Sequence, residues 1–338
     1  MKKYLFLLVF LFLFACGESQ SSKNEQQGKE TTSSIVDYKG TASVTQGLAK
    51  TDRANIYECE RGRKTDVGTI ISSDGKSWTV PALTNFNNEE FPFAADLHNP
   101  CNRNTYANAE EALSKLEDSD IIEINEAGEI YTAYIFADNY FEMYVNGQAV
   151  GKDNVPFTQF NSNLIRFKVQ KPFTIVMKLV DWEEHLGIGT EKSRGKAFHA
   201  GDGGMVAVIK DANNKIISTT NEQWKAQTFY TAPIKDLSCV TEKGSIRQSN
   251  NCDETDSDEG SSYFGLHWEL PMDWEKQSFD DANWPNAVTY TNETIGVDNK
   301  KAYTNFKDIF DDKEQDAQFI WSSNVVLDNE VIVRYTVE

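Results

Sequence analysis

The sequence predicts an all-β sandwich. Three observations carry that prediction: many short stretches alternate apolar and polar side chains, tight-turn residues separate them, and a single stretch has helical spacing. The clearest alternation is FADNYFEMYVNGQAVG at 136–151, with Phe141, Met143 and Val145 on one face and Tyr140, Glu142 and Tyr144 on the other. Asn146-Gly147 then reverses the chain. Both central positions of a type I′ turn need positive φ, which Asn tolerates and Gly adopts without strain, so 148–150 reads as the return arm of a hairpin.

Taken in order, the chain opens on a bacterial export signal. Lys2 and Lys3 form a positive start, residues 4–14 are a short apolar run, and Leu13-Phe14-Ala15-Cys16 is similar to a lipobox, whose Cys is lipidated and becomes the mature first residue. The apolar run is too short to span a bilayer, so a signal peptide over 1–15 is read in preference to a transmembrane anchor. Residues 16–34, polar and without apolar period, read as a flexible tether. Losing Lys2 and Lys3 takes the net charge from −19 to −21. A surface this acidic disfavours nucleic acid and anionic lipid as partners, which leaves the acyl chains as the membrane hold.

An N-terminal β region is expected over 35–128. Within it GTIISSDGKSWTV is a second hairpin round Asp74-Gly75, and 108–117 is the one helix, capped by Asn108 with Glu111 three residues on. The sandwich proper is expected over 129–338. Strands are read at 164–169, 173–180 and 223–230, with a hairpin over 205–217. Residues 181–204 form a long polar connection, 292–316 an irregular polar stretch, and 317–337 the final strands. Cys59, Cys101, Cys239 and Cys252 are an even set in an exported chain. Of their three pairings, Cys59–Cys101 and Cys239–Cys252 are favoured because each joins residues of one region.

The run ADNYFEMYVNG resembles a motif of galactose-binding-like (jelly-roll) β-sandwich modules, the accessory domains of many glycoside hydrolases. FTIVMKLV at 173–180, the hairpin at 205–219, NEQWKA at 221–226 and FDDANWPNA at 279–287 resemble later parts of such modules in the expected order. Together they cover 130–290. The segment 319–337 resembles the edge strand that opens such a module, although here it closes the chain. The resemblance implies a jelly-roll sandwich that binds carbohydrate or another extracellular ligand without catalysis. Such modules also serve as structural or assembly subunits, so a protein partner at the envelope is the alternative.

Long loops of compact sandwiches often carry function, so the connection after 173–180 is the first place to look for a site. Asp181, Trp182, Glu184 and His185, with His199 and Asp202 further along, combine an aromatic platform with polar groups, as a sugar site requires; the alternative is that Trp182 packs beneath the loop. Metal binding by His98, His185, His199 and His267 with Asp181 or Asp202 has no supporting spacing. The acidic run CDETDSDEG offers oxygen ligands for structural calcium, but Glu259 stands where an EF-hand needs Gly; a solvated loop is favoured. No GxSxG elbow and no marked carboxylate pair points to an enzyme, so a metal-dependent or glycan-cleaving enzyme is kept only as a third reading, and no cofactor is expected beyond that calcium. The expected location is the cell envelope, with the outer membrane as default, facing periplasm or cell surface. Mass spectrometry of the mature protein is expected to find an acylated Cys16 as its first residue, and Cys16→Ala to release the protein from the membrane fraction. An unacylated start would remove the anchor.

Overall fold

The computed structural model describes Ile35 and residues 38–192, 198–255 and 260–338. The signal peptide, Cys16 and the tether lie outside the described residues, as do 256–259 of the acidic run. The fold is all-β, built on two antiparallel sheets. In the first sheet the strands run Ser43–Gln46, Phe264–His267, Lys225–Ile234, Asp328–Val337, Phe173–Val180, Tyr140–Val145, Gln148–Lys152. In the second they run Val288–Tyr290, Phe319–Trp321, Gly204–Asp211, Glu129–Asp138, Ser162–Val169, Ala95–Asn99, Asn104–Thr105; Ile216–Thr219 also pairs with Gly204–Asp211, and Ile121–Glu123 runs parallel to Ser162–Val169.

The hairpin at 136–151 forms with the expected faces. Asn146 and Gly147 have φ of 52° and 88°, and Tyr140–Val145 pairs with Gln148–Lys152. Phe141, Met143 and Val145 join Phe173, Ile175, Met177 and Tyr131 in the core between the sheets. The opposite face is buried as well. Tyr140 packs on Trp182 and Phe86, Tyr144 on Phe91 and Trp274, and Glu142 between them is fully enclosed. The stretches over 35–128 do not stay apart from the rest: Ser43–Gln46 and Ala95–Asn99 pair into the two sheets, while Lys50–Arg53, Val67–Ile71 and Ser77–Val80 make a small sheet of their own. Both expected disulfides, Cys59–Cys101 and Cys239–Cys252, are present.

Three expectations are corrected. The strand Asp328–Val337 is no edge: it lies between Phe173–Val180 and Lys225–Ile234 with ladders on both sides, as its near-continuous apolar pattern suits. The stretch 292–316 is not irregular. Asn292–Ile295, Lys301–Thr304 and Lys307–Phe310 are short helices whose Ile295, Tyr303, Phe306 and Phe310 cover the outer face of the second sheet at Phe136. The helix expected over 108–117 is shorter, Ala109–Leu113, although Asn108 caps it by accepting from the Glu111 N–H at 2.9 Å.

The outer face of the first sheet holds charges under its cover. Lys178, with its side chain 4% exposed, pairs with Glu330 at 2.8 Å and donates to the Leu83 carbonyl. Removing one partner of such a pair strands the other charge, which typically costs about 3–5 kcal/mol. Lys178→Met is therefore expected to lower the unfolding free energy, measured by urea denaturation, by that order, and adding Glu330→Gln to recover part of the loss. Equal stability of Lys178→Met and wild type would show that the pair anchors nothing.

Candidate functional site

Where the chain crosses from the second sheet to the first, one side chain ties a carboxylate to the backbone beside a second. Asp138 ends the strand Glu129–Asp138, Asn139 is the crossing residue, and Tyr140 begins the next strand. The Asn139 amide donates to Asp138 Oδ1 at 2.6 Å, and its oxygen accepts from the Trp182 N–H at 2.6 Å. Asp138 is thereby held beside Asp181, whose own N–H donates to the Asn329 carbonyl at 2.9 Å. Both aspartates are only 6% exposed. With Asp202 they line a cavity of about 380 Å³ whose wall includes Arg63, Asn139, Thr158, Phe160 and Lys300.

Within this cavity Arg63 is paired with Glu191. Lys300 places Nζ 3.8 Å from the centre of the Phe160 ring. The Asp181 carboxylate accepts no hydrogen bond from any described residue. A Cβ at Gly201 would stand 3.1 Å from Asp181 Oδ2, so the glycine keeps this approach open. Burial, and then the charges of Asp202 and Asp181, hold Asp138 well above the usual carboxylate range; burial, then Asp202 and Glu183, does the same for Asp181. Lys300 and Arg63 oppose the effect on Asp138, and Arg63 that on Asp181. A carboxyl donates a hydrogen bond when protonated and accepts when ionised, so this group of acids suits a ligand whose hydroxyls both give and take hydrogen bonds.

Of the residues singled out from the sequence, Asp181 and Asp202 meet in this cavity. Trp182 does not serve as a platform: it is 1% exposed, edge-on to Tyr140 with centroids 6.0 Å apart, and its indole N–H donates to the Asp66 carbonyl at 3.0 Å. The reason is register, since Trp182 continues the outward-facing position of Val180 and enters the same apolar cluster. Glu184 accepts from the Lys192 N–H at 2.6 Å. The His185 ring lies 3.0 Å from the Thr190 hydroxyl through Nδ1 and packs against Phe198. His199 pairs with Glu191 in a two-stranded ribbon, Thr190–Glu191 with His199–Ala200. These three residues thus form a structure next to the cavity, joined to it through Glu191.

The other histidines lie in the sheets. His98 is buried in Ala95–Asn99, and His267 is stacked between Tyr230 and Trp78, where burial lowers its pKa to about 3. Among the described residues no group of three or more His, Cys, Asp or Glu is arranged to hold a metal ion. In the acidic run, Asp253 is paired with Lys235 at 2.6 Å.

Asp138, Asn139, Arg63, Phe160 and Lys300 were not singled out from the sequence. Asp138-Asn139 did carry a signal, two polar residues interrupting an apolar run; Arg63 and Lys300, far away in polar segments, carried none. No family model, curated protein or solved structure matches the chain.

The buried acids dictate a pH dependence. Burial raises Glu183 to about 8 and Asp153 to about 7, in line with Asp138 and Asp181. The folded chain thus keeps protons that the unfolded chain gives up near pH 4, and stability falls as pH rises through these values. Asp74 and Asp253, both held at about 2 by hydrogen bonds, act in the opposite sense and withdraw stability below pH 4. Buried His267, held at about 3, adds stability as pH rises to its unfolded value of about 6.5, so the fall is expected above that range. The thermal midpoint should therefore fall between about pH 6.5 and about pH 8.5, and Asp181→Asn should flatten that fall and melt above wild type at the upper end. Parallel profiles would show that Asp181 ionises freely.

Proposed function

We propose that the protein is a lipid-anchored protein of the bacterial cell envelope whose sandwich, of the galactose-binding-like jelly-roll type, binds a carbohydrate without cleaving it. The observation that carries this reading is the buried Asp181 carboxylate, left without a hydrogen bond from any described residue at a cavity it shares with Asp138 and Asp202. An oxygen in that position is satisfied by a donor from a ligand or from water, because a buried polar group left without a partner costs about 1–3 kcal/mol. Asn139, Thr158 and the Lys300 ammonium add both donors and acceptors around the same space, and the exposed part of Phe160 adds an apolar surface. The volume is that of a small-ligand site. The lipid anchor and the envelope location rest on the lipobox-like residues 13–16.

The test is binding of a neutral glycan panel by the soluble chain lacking residues 1–16. At least one glycan is expected to bind, with affinity at least tenfold lower in Asp181→Asn while the melting curve shows a folded protein. If no glycan binds and a second envelope protein co-purifies in fixed ratio, the chain is an assembly subunit instead.

A further inference from the structure

The second sheet carries another cavity on the same outer face, near the opposite end of Glu129–Asp138. Its volume is about 770 Å³. Across its floor runs one row of three residues on adjacent strands: Lys210 is directly opposite Thr132, and Thr132 is directly opposite Arg166. Opposed residues of antiparallel strands project from the same face, so the three side chains stand side by side. Tyr134, two residues beyond Thr132, shares that face.

These are enclosed polar groups. Lys210 is 7% exposed, Thr132 8% and Tyr134 3%. The Lys210 ammonium makes no hydrogen bond or ion pair with any described residue; its one aromatic neighbour is the Tyr134 ring, 5.9 Å away, at the outer limit of a cation–π contact. The Tyr134 hydroxyl likewise has no hydrogen-bond partner among the described residues. Arg166 donates one N–H to the Glu117 carbonyl at 3.1 Å and lies 3.9 Å from the exposed Asp118, which leaves the remainder of its fork uncommitted. Acidic side chains are present too. One Asp211 oxygen, Oδ1, accepts from the backbone N–H groups of Asn213 and Lys215 at 2.9 Å each, Asp308 and Glu110 stand on the walls, and Asp312 is near enough for the Lys210 charge to lower its pKa. Leu113, Ile130 and Ile309 make the rest of the lining apolar.

The Lys210 ammonium lines the cavity with no direct hydrogen-bond partner and only Asp312 acting on it from further off, so an anion entering the cavity gains a charge-assisted contact. Lys210 and Arg166 root two strand spacings apart, about 9.5 Å, close enough for their long side chains to converge on one group between them. A carboxylate fits this best, because its two oxygens match the guanidinium fork while still facing the ammonium. The hydroxyls of Thr132 and Tyr134, set among apolar walls, suit a ring that carries hydroxyls. We propose that this cavity binds a carboxylate-bearing saccharide, with the carboxylate held between Lys210 and Arg166. The site is separate from the Asp138–Asp181 cavity and does not depend on the reading given to it.

The experiment is titration calorimetry of the soluble chain with trigalacturonate and with its methyl ester, which has the same sugar backbone without the charge. The acid is expected to bind at least tenfold more tightly than the ester and to weaken as salt is raised. Lys210→Met should lose at least tenfold in affinity for the acid while melting at or above the wild-type temperature. Arg166→Gln gives an independent readout, with a comparable loss expected. Asp181→Asn should leave this binding unchanged, so failure of either site is seen separately. Equal binding of acid and ester, binding of neither, or unaltered affinity in both Lys210→Met and Arg166→Gln would overturn the proposal.

Discussion

The fold depends on the central strands of its two sheets being buried on both faces. A two-layer sandwich needs apolar residues only where its sheets meet, and that inner seam is here: Tyr131 against Phe167 and Phe173, with Met143, Ile175 and Val331 beside them. The outer faces are enclosed as well, and the first sheet keeps charged residues there. Glu142 accepts from the backbone and amide of Asn85 and from the hydroxyls of Tyr140 and Tyr144. Lys152 donates to the carbonyls of Asn85 and Asn88, and Arg334 to Asp281 and the carbonyls of Trp274 and Lys276. Each buried charge fastens a loop to the sheet, because only that loop's polar groups can satisfy it. The covering segments are thus tied down by charge-assisted hydrogen bonds as well as by aromatic burial.

Against that background the two cavities are places where the cover over the second sheet stops. The short helices at 292–310 lie across Phe136 near the middle of the Glu129–Asp138 strand. To one side the strand ends in Asp138; to the other it presents Tyr134 and Thr132. On the first sheet the protein supplies counter-groups in direct contact with its buried charges, whereas Asp181 and Lys210 have only more distant ones, Arg63 and Asp312. Both cavities mix charges, but they differ in what lies on the sheet: carboxylates at one, and a lysine and an arginine flanking a hydroxyl at the other. Net charge, −19 over the whole chain, predicts neither, because local charge is set by which residues strand register brings together.

That difference also marks what the sequence could disclose. The alternation in 136–151, the Asn146-Gly147 turn and the two cysteine pairs are local patterns, and each is present as read. The burial of Tyr140, Glu142 and Tyr144 was not legible, since polar-looking alternation reads as a solvated face and the covering residues, Asn85, Phe91 and Trp274, lie far away in sequence. The helices at 292–310 were missed because four-residue helices are not set by helical propensity; they exist where tertiary packing holds one or two apolar residues each. Asp181 and Asp202, two of the three cavity aspartates, are visible in the connection after Val180. The placing of Asp138 beside them, and the Lys210–Thr132–Arg166 row, depend on pairing between strands that no local pattern encodes.

The strand Asp328–Val337 joins fold and site. Ladders on both of its sides make it the bridge between Phe173–Val180 and Lys225–Ile234, so the first sheet is continuous only once that strand is in place. Its first residues do more than pair. Asp328 accepts from the Thr231 and Ser322 hydroxyls, and Asn329 donates to the Ala232 carbonyl while its own carbonyl receives the Asp181 N–H. The backbone that aims the Asp181 carboxylate is therefore anchored by a segment about 150 residues away in sequence. Non-local pairing of this kind is slow to form, because the chain's entropy must be given up before the contacts compensate for it. The Asp138–Asp181 arrangement is completed by that closure, which adds the Asn329 contact to the Asn139 hydrogen bonds and the Tyr140–Val180 pairing that join the two segments against the repulsion of their carboxyls and the loss of water.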